Sequence, residues 1–193
     1  MNPAVILVLA LVLVGCAPTG IASDGVLVAH RFDRSAEGWR VAADTVDVDP
    51  DVHPDGGQSG GYISSADEAL GETWYFAAPA DLLAHLAAAE HGELRYSLKQ
   101  SATGADILDD DIIIQGPAGR LSYRFATPPR TDWTDFSVRL SASAGWRWNW
   151  NADATQEQLR SVLRQATRLY IRGEYVTGPD EAGLDTVVLS AAP

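Results

Sequence analysis

The residues best suited to contacting a ligand lie in one short segment where tryptophans alternate with polar side chains. Trp146, Trp148 and Trp150 are spaced two apart, so in an extended strand their three indoles would line one face. The side chains of Arg147 and Asn149 would then lie on the opposite face. Flat aromatic rings beside guanidinium and amide donors are typical of a sugar-binding surface, because the rings stack on C–H faces and the donors bind hydroxyls.

Two other interpretations of this segment stay open. Trp146 could fill the core while the other two indoles cover one end of the domain. Alternatively, the three indoles could dip into a lipid bilayer. The remaining strand-borne tryptophans, Trp39 and Trp74, are predicted core residues.

Residues 57–61 read Gly-Gln-Ser-Gly-Gly and match the G-x-S-x-G pattern of serine hydrolases. That chemistry needs Ser59 on a sharp turn between a parallel strand and a helix. No parallel strand-helix pattern exists here, so a glycine-rich loop is predicted instead. The four histidines show no metal-ligand spacing, and no catalytic residue is predicted.

The composition limits the classes of partner that the protein is expected to bind. Lys and Arg number 14 against 26 Asp and Glu, giving a formal net charge of −12. Nucleic acid is not expected to bind, because phosphate recognition needs a cationic surface. With 46% hydrophobic residues and six tryptophans, the chain can form a packed core. The single cysteine excludes an intrachain disulfide.

The N-terminus has the pattern of a secretory targeting segment. The first 20 residues carry no charged side chain, and the apolar run over residues 5–14 is too short to cross a bilayer. It leads into Leu13-Val14-Gly15-Cys16, which resembles the lipobox of bacterial lipoproteins. In that motif the cysteine is lipidated and becomes the new N-terminus.

This resemblance implies a signal peptide over residues 1–15, lipidation at Cys16 and a tether over residues 16–25. Ala17 after the cysteine is similar to the sorting signal for the outer membrane. We therefore expect a lipid-anchored protein of the cell outer membrane, facing the periplasm or the surface, with one domain over residues 26–193.

Apolar and polar residues alternate through most of that domain, which predicts antiparallel strands. In residues 93–99, for example, Leu94, Tyr96 and Leu98 share one face. The predicted strands cover residues 26–32, 61–64, 73–77, 93–99, 111–115, 120–125, 135–140, 168–175 and 184–189. Helices are predicted only after Pro79 and after Thr155, the second from a capping-box pattern. The sequence therefore predicts an all-β sandwich with two short helices.

A series of motifs follows in a characteristic order over residues 26–190. They are Gly38-Trp39, Gly60-Gly61-Tyr62-Ile63, Thr73-Trp74-Tyr75-Phe76-Ala77-Ala78-Pro79, Gly92-Glu93-Leu94-Arg95-Tyr96-Ser97-Leu98, Asp109-Asp110-Asp111-Ile112-Ile113-Ile114-Gln115-Gly116, Gly145-Trp146, Leu169-Tyr170-Ile171-Arg172-Gly173-Glu174-Tyr175 and Gly183-Leu184-Asp185-Thr186-Val187. Their order and spacing together resemble the laminin B domain, also called laminin domain IV.

The resemblance implies a jelly-roll β-sandwich of the galactose-binding-like kind, similar to carbohydrate-binding modules, and it implies no catalytic residues. Such modules often hold a structural calcium where the first and last strands meet, which here points to Asp33 and Asp185. Two alternatives stay open for these acids: solvated loop carboxylates, or a pairing of Asp185 with Arg172.

We therefore expect a non-enzymatic envelope lipoprotein whose laminin-B-like module acts in binding or adhesion, with a glycan or another envelope protein as partner. A structural or assembly module that contacts an envelope protein is one alternative. A polysaccharide-acting hydrolase is the other, and it would need two carboxyls facing each other across a groove.

Overall fold

The computed structural model describes residues 25–43, 46–67 and 73–193. The predicted signal peptide, the predicted lipid attachment at Cys16 and nearly all of the predicted tether lie outside these residues. Within the described ranges, no helix is both long enough and apolar enough to cross a bilayer.

Strands dominate the described chain, and every pairing between them is antiparallel. In chain order they are β1 (Val26–His30), β2 (Arg40–Ala43), β3 (Val46–Val48), β4 (Asp51–His53), β5 (Tyr62–Ala66), β6 (Tyr75–Ala77), β7 (Glu93–Gln100), β8 (Ile112–Gly116), β9 (Gly119–Tyr123), β10 (Thr134–Arg139), β11 (Arg147–Trp148), β12 (Ala152–Asp153), β13 (Arg168–Arg172) and β14 (Glu181–Ser190).

These strands form two sheets. The six-stranded sheet has the order β10–β7–β14–β5–β4, with β1 also paired to β14. The eight-stranded sheet has the order β12–β11–β9–β8–β13–β6–β2–β3. Their inner faces share one apolar core, in which Leu94 and Leu98 of β7 are buried together with Ile112 of β8. Trp39 and Trp74 are buried there as predicted, and the predicted all-β jelly-roll sandwich with two short helices is confirmed.

The long strand β14 holds the six-stranded sheet together. β7 runs along one edge of β14, while β5 and β1 share the other edge in succession. Leu184 pairs with Ile63 of β5, and Val187 pairs with His30 of β1. The change of partner falls at Asp185 and Thr186, where the register against β7 also shifts. Such a shift is a β-bulge, which bends the strand and redirects its side chains.

The chain enters and leaves the domain at the same place. The backbone N–H of Ala191, just after β14, donates to the carbonyl oxygen of Gly25, just before β1, at 2.7 Å. This bond extends the β1–β14 ladder by one step beyond the strands themselves.

The two helices begin where they are predicted. Helix α1 (Ala80–His85) continues into a 3₁₀ turn over Leu86–Ala89. Helix α2 (Gln156–Arg164) starts with the predicted capping box: the N–H of Gln158 donates to Thr155 Oγ1 at 3.2 Å, and the N–H of Thr155 donates to Gln158 Oε1 at 2.9 Å. These bonds satisfy two backbone donors that a bare helix start would leave unpaired.

Strand β13 is shorter than predicted, since it ends at Arg172 rather than at Tyr175. The cause is Trp74. Its indole lies where a Cβ on Gly173 would be, and its backbone N–H donates to the carboxylate of Glu174 at 3.2 Å. The chain after Arg172 therefore turns to fit this ring instead of continuing the ladder.

Besides Asp185 of β14, three carboxylates are buried in the described part of the fold: Asp111, Glu174 and Asp180. Asp111 Oδ1 lies 3.7 Å from Nη1 of Arg172, which is also buried. Burial raises the pKa of all three carboxyls, because removal from water disfavours the charged form. The neighbouring carboxylate of Asp67 raises the pKa of Glu174 and Asp180 further.

These raised pKa values predict how stability depends on pH. Between the ordinary carboxyl pKa of about 4 and neutrality, the folded state binds more protons than the unfolded chain does. The free energy of unfolding in urea is therefore expected to rise as the pH is lowered from 7 to 5. Asp180→Asn should reduce this rise, whereas Asp132→Asn, at an exposed carboxylate, should not. A free energy of unfolding that falls steadily over the same range would contradict the prediction.

Candidate functional site

A tight turn interrupts the tryptophan segment. β11 has only two residues, and Asn149 and Trp150 follow it with φ of 43° and 67°. The N–H of Asn151 donates to the carbonyl oxygen of Trp148 at 3.2 Å and closes the turn. With two left-handed central residues, the chain reverses and returns as β12. The prediction of one extended strand with three indoles on one face is therefore wrong.

The three indoles lie in three different environments. Trp146 is fully buried, and its Nε1–H donates to the carbonyl oxygen of Arg139 at 2.8 Å. Trp148 is half-buried, while 64% of Trp150 is exposed. The structure thus places Trp146 in the core, where it offers no surface to a ligand, and leaves Trp150 as the accessible ring.

Trp148 packs against the neighbouring hairpin and supports the turn. Its ring lies directly over Gly119, the first residue of β9, so closely that a Cβ on Gly119 would overlap three ring atoms. Gly119 also has a φ of 132°, which side chains rarely adopt. A glycine is therefore needed there for both space and conformation.

The polar residues of the segment hold the same hairpin in place. Arg147 Nη1 lies 2.5 Å from Asp153 Oδ1, across the β11–β12 pair. Asn149 accepts a hydrogen bond from the N–H of Arg120 at its side-chain oxygen, and its own N–H donates to the carbonyl oxygen of Arg120, both at 3.0 Å. Both residues fix the position of the turn that carries Trp150.

Beside this turn is a surface depression of about 410 Å³, here called the Trp150 pocket. The Arg120 guanidinium carbon lies 4.9 Å from the centroid of the Trp150 ring, a cation–π arrangement, and its Nη2 donates to Asp110 at 2.9 Å. The residues that line the pocket are Gln115, Gly116, Gly119, Arg120, Asn149, Trp150, Thr167 and Arg168.

The polar wall of this pocket could not be found from local sequence. Gln115 at the end of β8 and Arg168 at the start of β13 are paired residues of the eight-stranded sheet. Their proximity depends on a pairing between strands that are far apart in the chain. Only Trp150 and Asn149 of the pocket belong to the set predicted from the sequence.

A family model, Laminin B (Domain IV), matches residues 75–193, more than half of the chain. The chain belongs to this family. The L4b domain of human laminin alpha-2 has the same fold, with a TM-score of 0.64 and 14% identity over 85% of this chain and 98% of that domain. The resemblance predicted from the sequence is thereby confirmed at the level of the family.

A second solved structure is less similar to this chain. The family 11 carbohydrate-binding module of a cellulosomal cellulase from Clostridium thermocellum aligns with 88% of this chain and 91% of its own, at 13% identity and a TM-score of 0.42. This likeness is too weak to carry an inference about a ligand. No curated protein matches the sequence.

In this laminin B domain the two carboxylates that are predicted to bind calcium hold a loop. Asp33 Oδ1 accepts the N–H of Gly61 at 3.1 Å, and Asp185 Oδ2 accepts the N–H of Ser59 at 2.8 Å. Asp185 is fully buried, and burial raises its pKa against the opposing effect of the hydrogen bond from the N–H of Ser59. The predicted glycine-rich loop is thus bound from two sides.

The structure also separates the alternatives for Asp185. Arg172 lies near Asp111, not Asp185, so the predicted pairing of Asp185 with Arg172 is wrong. In the described part of the chain, no group of three or more His, Cys, Asp or Glu side chains is arranged to hold a metal ion. Calcium at Asp33 and Asp185 stays a prediction.

The Trp148–Gly119 contact can be tested against a matched glycine. Gly104 also has a left-handed backbone, with a φ of 111°, but a Cβ there would meet nothing within 4 Å. Gly119→Ala should lower the free energy of unfolding by about 1–3 kcal/mol more than Gly104→Ala, because it adds overpacking to the shared backbone strain. Equal losses in urea denaturation would show that Trp148 is not packed on Gly119.

Proposed function

We propose that this laminin B domain is a non-catalytic binding module that takes a glycan in the Trp150 pocket. One observation carries the proposal: Trp150 is the only aromatic ring among the exposed large hydrophobic side chains of the described residues. The others are aliphatic, namely Val26, Val48, Val52 and Leu108. An exposed indole beside a polar depression has the chemistry that sugar recognition requires.

The pocket offers both parts of such recognition. Arg120 lies over one face of the Trp150 ring, so a pyranose would stack on the other face through its C–H groups. Gln115, Thr167 and Arg168 supply amide, hydroxyl and guanidinium groups for the sugar hydroxyls. The volume of about 410 Å³ lies within the range of roughly 300–1,000 Å³ typical of small-molecule sites.

Substitution of Trp150 tests this site. Trp150→Ala should weaken glycan binding about tenfold, the order expected for loss of one stacked ring. Trp150→Phe should keep part of the affinity. Since Trp150 is mostly exposed, both variants should melt like the parent, whereas Trp148→Ala should melt lower because Trp148 packs on Gly119.

The measurement is a binding screen of the full chain in detergent against neutral and acidic glycans and cell-wall polysaccharides. Binding that Trp150→Ala leaves unchanged would move the ligand away from this pocket. Absence of binding to every glycan would overturn the proposal and favour the alternative, an interface with another envelope protein.

The proposed setting is the outer membrane, to which Cys16 would anchor the domain through its lipid. Two features of the sequence support this: an apolar segment that ends at the single cysteine, and Ala17 directly after it. Several acyl chains hold a protein firmly where one does not. The domain would then meet glycans or proteins of the cell envelope.

Fractionation of cells tests the anchor. Cys16→Ser removes the lipidated thiol, so the protein is expected to leave the membrane fraction and to lose the mass of the acyl chains. Thr19→Ser, three residues further on, serves as the control and should fractionate like the parent. A Cys16→Ser protein that stays with the membrane would remove the lipoprotein assignment.

A further inference from the structure

A second depression, of about 430 Å³, lies on the six-stranded sheet and shares no residue with the Trp150 pocket. Here it is called the arginine pocket, because two guanidinium groups border it. The residues that line it are Arg31, Gln58, Ser59, Arg95, Tyr96, Ser97, Asp135, Phe136, Ser137, Thr186 and Val188.

The floor of the arginine pocket lies at the bulge of β14. Asp185 pairs with Ser97 of β7, but the next paired residue is Val188, opposite Arg95. Thr186, in between, has a φ of 50°, a conformation that is strained for a β-branched residue. Bulges and strained residues are over-represented beside active and ligand-binding sites.

One wall of the pocket is the glycine-rich loop, and it is rigidly held. The bond from the N–H of Ser59 to Asp185 sets this wall, since it places Ser59 and Gln58 at the pocket. Gly57 lies so close to Gly61 and to Asp185 that it leaves no room for a Cβ. The backbone of the loop is therefore held in place beside the pocket.

Asp135 gives the pocket a fixed hydrogen-bond acceptor beside this loop. Asp135 Oδ1 accepts the hydroxyl of Ser97 at 2.6 Å and lies 3.5 Å from the side-chain nitrogen of Gln58. A carboxylate oxygen has further acceptor capacity, which suits it to bind the hydroxyls of a sugar. Ser97 and Gln58 fix the direction in which Asp135 faces.

Charge distinguishes this pocket from the rest of an acidic chain. Arg31 has no side-chain hydrogen bond or ion pair within the described residues, so its guanidinium is free to bind an anion. Arg95 lies 3.6 Å from Glu93, a residue outside the pocket, and half of its side chain is exposed. In a protein with a net charge of −12, two guanidiniums in one depression are well suited to a carboxylate, which they bind in a planar, bidentate way.

We propose that the arginine pocket binds a uronate, a sugar that carries a carboxylate beside its hydroxyls. Arg31 and Arg95 bind the carboxylate, while Asp135, Ser137 and Gln58 bind the hydroxyls. This pairing of groups explains why a carboxylate acceptor lies in the same pocket as two cations. The site is independent of the Trp150 pocket, because the two lie on different sheets.

Calorimetric titration of the full chain in detergent tests the site, with oligogalacturonate as the probe and a neutral galacto-oligosaccharide of equal length as its matched control. The acidic oligosaccharide should bind at least tenfold more tightly than the neutral one. Arg31→Ala and Arg95→Ala should each weaken its binding about tenfold or more, the order of one charge-assisted hydrogen-bonded contact.

Two control variants separate binding in the arginine pocket from general charge attraction and from binding in the Trp150 pocket. Arg34→Ala removes an exposed arginine outside the pocket and should bind oligogalacturonate like the parent, as should Trp150→Ala. Equal losses in Arg34→Ala and Arg31→Ala would show general charge attraction and overturn the proposal. Equal binding of the neutral oligosaccharide, or displacement by inorganic phosphate at the same concentration as galacturonate, would overturn it too.

Discussion

The hydrogen bond between buried Asp185 and the backbone N–H of Ser59 ties together parts of the domain that are distant in the chain. It joins the last strand to the glycine-rich loop at the point where β14 changes partner from β5 to β1. Asp33, just after β1, holds the same loop from its other end through Gly61. A buried carboxylate is costly unless its oxygens are bonded, so the loop and the strand determine each other's position.

Both candidate pockets lie where regular strand geometry is broken. The Trp150 pocket is beside a turn with two left-handed residues, and the arginine pocket is over the bulge at Thr186. In each case a neighbouring hairpin or loop fixes the irregular segment: Trp148 rests on Gly119, and Ser59 is bound to Asp185. The regular sheets provide the rigid frame, and the exceptions to it provide concave surface.

The sequence predicts the fold well because burial repeats along each element. Strands with one buried face alternate with period two, as in β7, and the capping box at Thr155 marks the start of α2 from local chemistry alone. These signals lie within a few residues of one another, so no knowledge of distant contacts is needed to read them.

The sites are predicted only in part, because they depend on pairings and backbone conformations that local sequence does not record. Alternating Trp and polar residues indicate a strand, yet the turn at Asn149 and Trp150 lacks the glycine that usually marks left-handed positions. The family resemblance points to Asp33 and Asp185 together, but their role in holding the loop follows from tertiary hydrogen bonds to Gly61 and Ser59. Arg31, just after β1, and Arg95 of β7 line one depression only because β1 and β7 flank the same strand.

The bond between Ala191 and Gly25 has a consequence for how such a domain can be used. Because both ends of the described domain lie side by side, its geometry suits insertion as one unit. It can be placed within a longer chain, or at the end of a tether, without stretching or reordering its sheets. A domain with neighbouring ends can be joined to different chains without a change in its fold. The surfaces that face away from the two ends are then unchanged.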